Sequence, residues 1–139
     1  MKTKTFKSAL SVAILFAAII VWSSCSKSDN GSSRDAYVGS YRTNWSYAYN
    51  GVSYSGTYTL TVTKSSTNSN DIILGNIDGW GESARATISG NSMTIPQQTI
   101  LDVGISGSGI LNGNVLNFST AETETGGTQI NVTQVATKQ

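Results

Sequence analysis

The chain has 139 residues, with nine Lys and Arg against eight Asp and Glu, no histidine and a single cysteine. A chain of this length buries one core rather than two, its near-balanced charge gives no electrostatic footprint for nucleic acid, and one cysteine leaves no internal disulfide. The missing histidine removes the usual general base and the commonest nitrogen ligand for metals.

In chain order, the first residues read as an address. Lys2, Lys4 and Lys7 make a basic start, and Ala9 to Trp22 is an apolar run of fourteen residues interrupted only by Ser11. That is shorter than the about 20 apolar residues a membrane-crossing helix needs. The run stops at Ser23-Ser24-Cys25. These residues admit an ordinary secretory signal that leaves a free thiol, an uncleaved anchor, or cleavage just before Cys25. The last arrangement resembles the cleavage site of bacterial lipoproteins, with Trp22 standing where the usual pattern has a Leu-like residue. The resemblance implies a signal peptide over residues 1–24, lipid of the palmitate type on Cys25, and a membrane as the partner of that lipid. The location it implies is the cell envelope, anchored to the outer membrane. SKSDNGSS after Cys25 resembles the polar tethers of lipoproteins of Bacteroidota type, so residues 25–35 are expected to be a flexible linker. Cleavage before Cys25 takes away three lysines and no acids, leaving six basic against eight acidic residues and a charge of about −2.

Residues 36–139 read as one β domain, and its clearest element is YRTNWSYAYNGVSYSGTYTLTV, from Tyr41 to Val62. Asn50-Gly51 is the strongest short hairpin signal. With those two residues as the turn, Tyr49 faces Val52, Tyr47 faces Tyr54, Trp45 faces Gly56, Thr43 faces Tyr58 and Tyr41 faces Leu60. Side chains alternate along a strand, so Tyr41, Trp45, Tyr47, Tyr49, Val52, Tyr54, Tyr58, Leu60 and Val62 share one side. Serine, threonine, Arg42 and Asn44 take the other. A slip of one residue would scramble this sorting.

After a polar loop, KSSTNSN, a short strand is expected over Asp71 to Ile77, interrupted by Gly75. The glycine-rich DGWGE connection follows, carrying Trp80. Ala84 to Ser89 and Ser92 to Ile95 form a second hairpin about Gly90-Asn91, pairing Ile88 with Met93 and Ala86 with Ile95. Pro96, with no N–H to give, ends or bends that pairing. Gln98 to Leu111 reads as one long strand or two short ones, with Leu101, Val103, Ile105 and Leu111 on one face. Gly113-Asn114 turns the chain into Val115 to Thr120, and after ETETGG a last strand runs from about Thr128 to Val135 with Ile130 and Val132 inward. About eight strands joined by tight turns, with no helical period after the signal segment, predict an all-β protein. The economical topology is an antiparallel up-and-down meander closing into a small barrel, which removes both edges. A two-sheet β-sandwich is the alternative.

The YVGSYRTN opening, the SGNSMTIP hairpin and the ISGSGILNGNVLNF run resemble those of small lipocalin-like or calycin-like β-barrel lipoproteins of Bacteroidota. The resemblance covers nearly the whole domain from Tyr37 onward. It rests on turns and strand patterns, so it implies the fold and carries over no catalytic residues.

No enzymatic activity is expected. With Cys25 lipidated no thiol nucleophile remains. The carboxylates open to a glycosidase-type pair are Asp71, Asp78, Glu82, Asp102, Glu122 and Glu124, most of them in loops or on the outer face. Asp78 and Glu82 offer oxygens to a hard cation at a spacing that matches no known calcium loop, so no cofactor is expected either. The candidate binding feature is the aromatic face of Tyr41, Trp45, Tyr47, Tyr49, Tyr54 and Tyr58. These rings can fill the interior, line a cavity or mouth, or form an exposed platform. Trp45 opposite Gly56 favours filling, because a large ring covers the bare backbone of a facing glycine. The binding expectation then narrows to Tyr41 at one end and Tyr47, Tyr49 and Tyr54 at the other. The expected ligand is small and apolar or amphipathic; the alternative is a module that binds protein or glycan, or a purely structural envelope protein.

Overall fold

The structure, a computed structural model, describes residues 33–139. A single helical turn, α1 (Ser33–Tyr37), precedes eight strands: β1 (Gly39–Tyr49), β2 (Val52–Lys64), β3 (Asp71–Gly75), β4 (Ser83–Ser89), β5 (Ser92–Ile100), β6 (Val103–Asn112), β7 (Val115–Glu124) and β8 (Ile130–Lys138). Each strand pairs antiparallel with the next, and β8 pairs with β1, so the meander closes into a barrel and the sandwich alternative is excluded. Among these residues no helix is long and apolar enough to cross a membrane.

The first hairpin has the register its turn dictates, from Tyr49 opposite Val52 to Tyr41 opposite Leu60. Asn50 and Gly51 both take positive φ, which matches a two-residue turn to the right-handed twist of the strands. The turns at Gly90-Asn91 and Gly113-Asn114 likewise lie where the sequence places them, with Ile88 opposite Met93 and Leu111 opposite Leu116.

Four expectations are corrected. The β4–β5 ladder ends at Thr87 opposite Thr94, so Ala86 and Ile95 are not a ladder pair. Pro96 sits in a bulge between Ile95 and Gln98, and β5 continues beyond it to Ile100. Across the opened ladder the Gln98 side chain takes the place of backbone: its Oε1 accepts from the Arg85 N–H at 3.0 Å and its Nε2 donates to the Arg85 carbonyl at 2.8 Å. Continuing β5 moves the next turn to Leu101-Asp102, so Leu101 is 62% exposed at the turn rather than inward. Finally, Ser33 to Asp35, expected in the tether, belong to α1.

The apolar core fills one end of the barrel and extends along its interior to Ile77, Ile100 and Ile105. Leu60, Ile72, Leu74, Ala84, Met93 and Leu116 are buried in it among others. α1 plugs the filled end: Tyr37 is fully buried, the Tyr41 hydroxyl donates to the Tyr37 carbonyl at 2.7 Å, and Lys138 Nζ donates to the Ala36 carbonyl at 3.1 Å. Arg34 Nη1 donates to the carbonyls of Ser65, Asn68 and Asp71, which fastens the plug to the β2–β3 loop. The opposite end carries the Asn50-Gly51 turn, the residues 76–82 connection, the Leu101-Asp102 turn and the β7–β8 loop. It has no such plug among the described residues.

Candidate functional site at the open end of the barrel

β3 is short. It pairs with β2 only from Thr61 to Lys64, so the wall beside residues 52–60 has no strand partner on that edge. The residues 76–82 connection covers the gap. Asn76, in left-handed conformation, pins it in place: its Nδ2 donates to the Thr59 carbonyl and its Oδ1 accepts from the Gly81 N–H, both at 2.8 Å. A 3-10 turn over Ile77–Gly79 then buries Ile77 and turns Asp78 inward with φ 53°. A non-glycine residue at positive φ is uncommon, and such geometry clusters at binding and catalytic sites.

Inside, Asp78 joins a network of polar residues that project from β2, β7 and β8. Gln134 on β8 is fully buried; its Nε2 donates to Asp78 Oδ1 and to Thr120 Oγ1, and its Oε1 accepts from the Tyr58 hydroxyl at 2.5 Å. Thr120 on β7 donates to Glu122 Oε1 at 2.8 Å. The carboxyls of Asp78 and Glu122 line the same cavity, and each acts on the protonation of the other. Asp78 Oδ2 is shielded from solvent and no donor reaches it. Burial, and then the charge of Glu122, push the Asp78 carboxyl up to about 8. Burial also raises Glu122. Tyr58 is raised by burial first and by Asp78 second.

Above this pair the walls are aromatic. Trp45 stacks on Tyr47 with ring centroids 5.7 Å apart, and Tyr47 stacks on Tyr54 at 5.0 Å. A cavity of about 280 Å³ is lined by Trp45, Tyr47, Trp80 and Val132 together with Asp78 and Glu122. A second, of about 360 Å³, adjoins it through Trp80, Glu122, Glu124 and Ile130 and reaches Tyr49.

The six aromatic candidates therefore divide. Trp45 and Tyr47 line the cavity, and Tyr49 lines its neighbour. Tyr54, 41% exposed, backs Tyr47. Tyr58 belongs to the polar floor. Tyr41 is fully buried at the plugged end, away from this cavity. Trp45 also covers Gly56, whose Cβ, if it had one, would stand 2.6 Å from the indole. Cys25 lies outside the described residues.

Asp78, Glu122, Thr120 and Gln134 were not expected as a unit. Glu122 had a signal: it continues the inward alternation Leu116, Phe118, Thr120, but the turn-like ETETGG argued for a strand end at Thr120. Asp78 had none, since its direction is set by a loop. Asp71, another carboxylate candidate, is bound to Arg85 at 3.0 Å and to Thr87 at 2.8 Å near the plugged end. Compared with models of known protein families and with curated proteins, the chain matches none.

Proposed function

We propose that the protein is a lipid-anchored, non-enzymatic β-barrel of the cell envelope that binds a small amphipathic molecule at its open end. The observation that carries this reading is the asymmetry of the barrel: one end is plugged by α1, and the other holds an aromatic-walled cavity with a polar floor. Ligand cavities combine mostly apolar walls with a few polar groups that fix orientation, and 280 Å³ suits a compact ligand. The chain enters the barrel at the plugged end. A lipid on Cys25, eight residues before Ser33, would therefore tether that end and leave the cavity facing away.

Native mass spectrometry of the full-length protein in detergent should show a small co-purifying mass, lost in Tyr47→Ala and Trp80→Ala. A bare wild-type protein whose tryptophan emission no small amphipathic molecule shifts would overturn the binding reading. For the anchor, Cys25→Ser should release the protein from the membrane fraction, and unchanged retention would overturn lipidation.

A second reading has its own observation. Tyr49, Val52 and Tyr54 are exposed at the hairpin tip, a surface on which a sugar ring or a protein could rest. Val52→Asp would abolish such binding while leaving occupancy of the cavity intact.

A further inference from the structure

From the same cavity we infer that the preferred ligand is a compact organic cation, an amine or quaternary ammonium, held over Asp78 and Glu122 between Trp45, Tyr47 and Trp80. This inference rests on the binding reading above and deepens it.

Three observations converge. The first is the chemistry of the walls. Tryptophan and tyrosine faces attract a cation through the ring quadrupole, more strongly when the cation is desolvated. A neutral amphipathic ligand gains only hydrogen bonds from the two acids beneath these walls, whereas a cation gains charge compensation as well.

The second is the state of the acids. Among the described residues neither Asp78 nor Glu122 is in an ion pair; the two pairs found are Lys64 with Asp35 and Arg85 with Asp71, both near the plugged end. Asp78 receives one strong donor, Gln134 Nε2, on Oδ1, while Oδ2 is shielded from solvent and has none. Two half-buried carboxyls that face only each other and neutral donors are poorly satisfied when ionised. A cation in the cavity supplies the missing charge.

The third is independent of the cavity. Net charge is unequal along the barrel axis, since the only described acids near the plugged end, Asp35 and Asp71, are paired with Lys64 and Arg85. Asp78, Glu82, Asp102, Glu122 and Glu124 lie at the open end. No described lysine or arginine does: Arg34, Lys64 and Lys138 ring the plugged end, Arg85 reaches toward Asp71, and Arg42 follows Tyr41 in the plugged half of β1. Such a field raises the local concentration of cations at the mouth and repels anions.

Size limits the ligand. At about 30 Å³ per water, the cavity of about 280 Å³ holds the equivalent of about nine waters. That admits a small ammonium compound with a short tail, and the adjoining cavity can take a longer tail.

Binding should also displace the proton that the acid pair holds. The groups facing Asp78 are Glu122 from β7, with Glu124 further along that strand at the mouth, Tyr58 from β2, the neutral Gln134 from β8, and Trp45 and Tyr47 from β1. Burial raises the carboxyls of Asp78 and Glu122 and the hydroxyl of Tyr58. The Asp78 carboxyl, raised to about 8, is the group at the floor of the cavity that loses its proton as pH rises past neutrality.

The test is calorimetric titration of the full-length protein in non-ionic detergent with three probes of one shape. They are choline, its uncharged isostere with carbon in place of nitrogen, and the matching carboxylate. Choline should bind about tenfold or more tightly than the uncharged isostere, and the carboxylate should not bind. Choline has no titrating group of its own. Its affinity should rise between about pH 6 and about pH 9 as the pair loses its proton, and that rise should flatten in Asp78→Asn and Glu122→Gln. Both variants keep the shape of the floor, and thermal unfolding shows whether they fold. Equal binding of choline and the uncharged isostere overturns the cation inference and leaves the cavity reading standing. If no probe binds wild type or moves its tryptophan emission, both fall.

Discussion

Asp71 and Asp78 are the same residue type seven positions apart, and their surroundings drive them in opposite directions. The Thr87 hydroxyl and then the Arg85 guanidinium hold the Asp71 carboxyl below its usual range. Its stabilising contribution is therefore present above the unfolded value of about 4 and is lost as pH falls through the lower folded value. Asp78 and Glu122 are raised, so the folded state binds more protons than the unfolded one, and stability declines as pH rises from about 4 toward the folded values. Thermal unfolding across pH should show Asp78→Asn more stable than wild type at about pH 9 and nearly equal to it at about pH 5. The asparagine Oδ1 can still accept from Gln134. An equal effect at both pH values would mean that packing, not charge, decides the change. Tyr41→Phe removes a buried bond to the Tyr37 carbonyl and should lower the urea-unfolding free energy by about 1 kcal/mol with ligand binding untouched.

At the scale of elements, the first hairpin shows how a single strand can serve two purposes. Its inward residues are buried near the plug, at Tyr41, Leu60 and Val62, and become exposed toward the turn, at Tyr49, Val52 and Tyr54. The change comes where β2 loses its pairing with β3. Gly56 lies in that second region, under the Trp45 ring. Gly56→Ala places a methyl against the indole and should destabilise by about 1–3 kcal/mol, with a shift in tryptophan emission as Trp45 moves into the cavity. A silent substitution would show that the indole has room to slide. The register of this hairpin was legible because turn chemistry and alternation agree. The β5–β6 boundary was not, because the Leu101-Asp102 turn uses two non-glycine residues at positive φ and carries none of the usual glycine or asparagine signal.

Across the whole molecule, the plug and the mouth are the two ends of one charge gradient. Arg34 links the plug to three carbonyls of the β2–β3 loop. Arg34→Ala should cost about 1–2 kcal/mol and speed amide hydrogen exchange at α1 and at Tyr41, while leaving exchange at the residues 76–82 connection unchanged. Acceleration at both ends would mean that the barrel opens as one unit and that the plug is not a separate fastening.

The number of strands, the turns at Asn50-Gly51, Gly90-Asn91 and Gly113-Asn114, the register of the first hairpin and the meander order followed from the sequence alone, because each is set by neighbours a few residues apart through alternation and turn preference. The turn at Leu101-Asp102 and the choice of barrel over sandwich did not. The gathering of tyrosine and tryptophan on one sheet face was set by the sequence in the same local way. Which of those rings meet core and which meet a cavity was decided by tertiary structure, since it depends on where β3 ends and what covers the gap. The Asp78–Glu122 pair was decided there too. Its members stand 44 positions apart in the chain and meet only because barrel closure brings β7 and β8 around to the residues 76–82 connection, where Gln134 and Asn76 fix the contact through hydrogen bonds that no local pattern encodes.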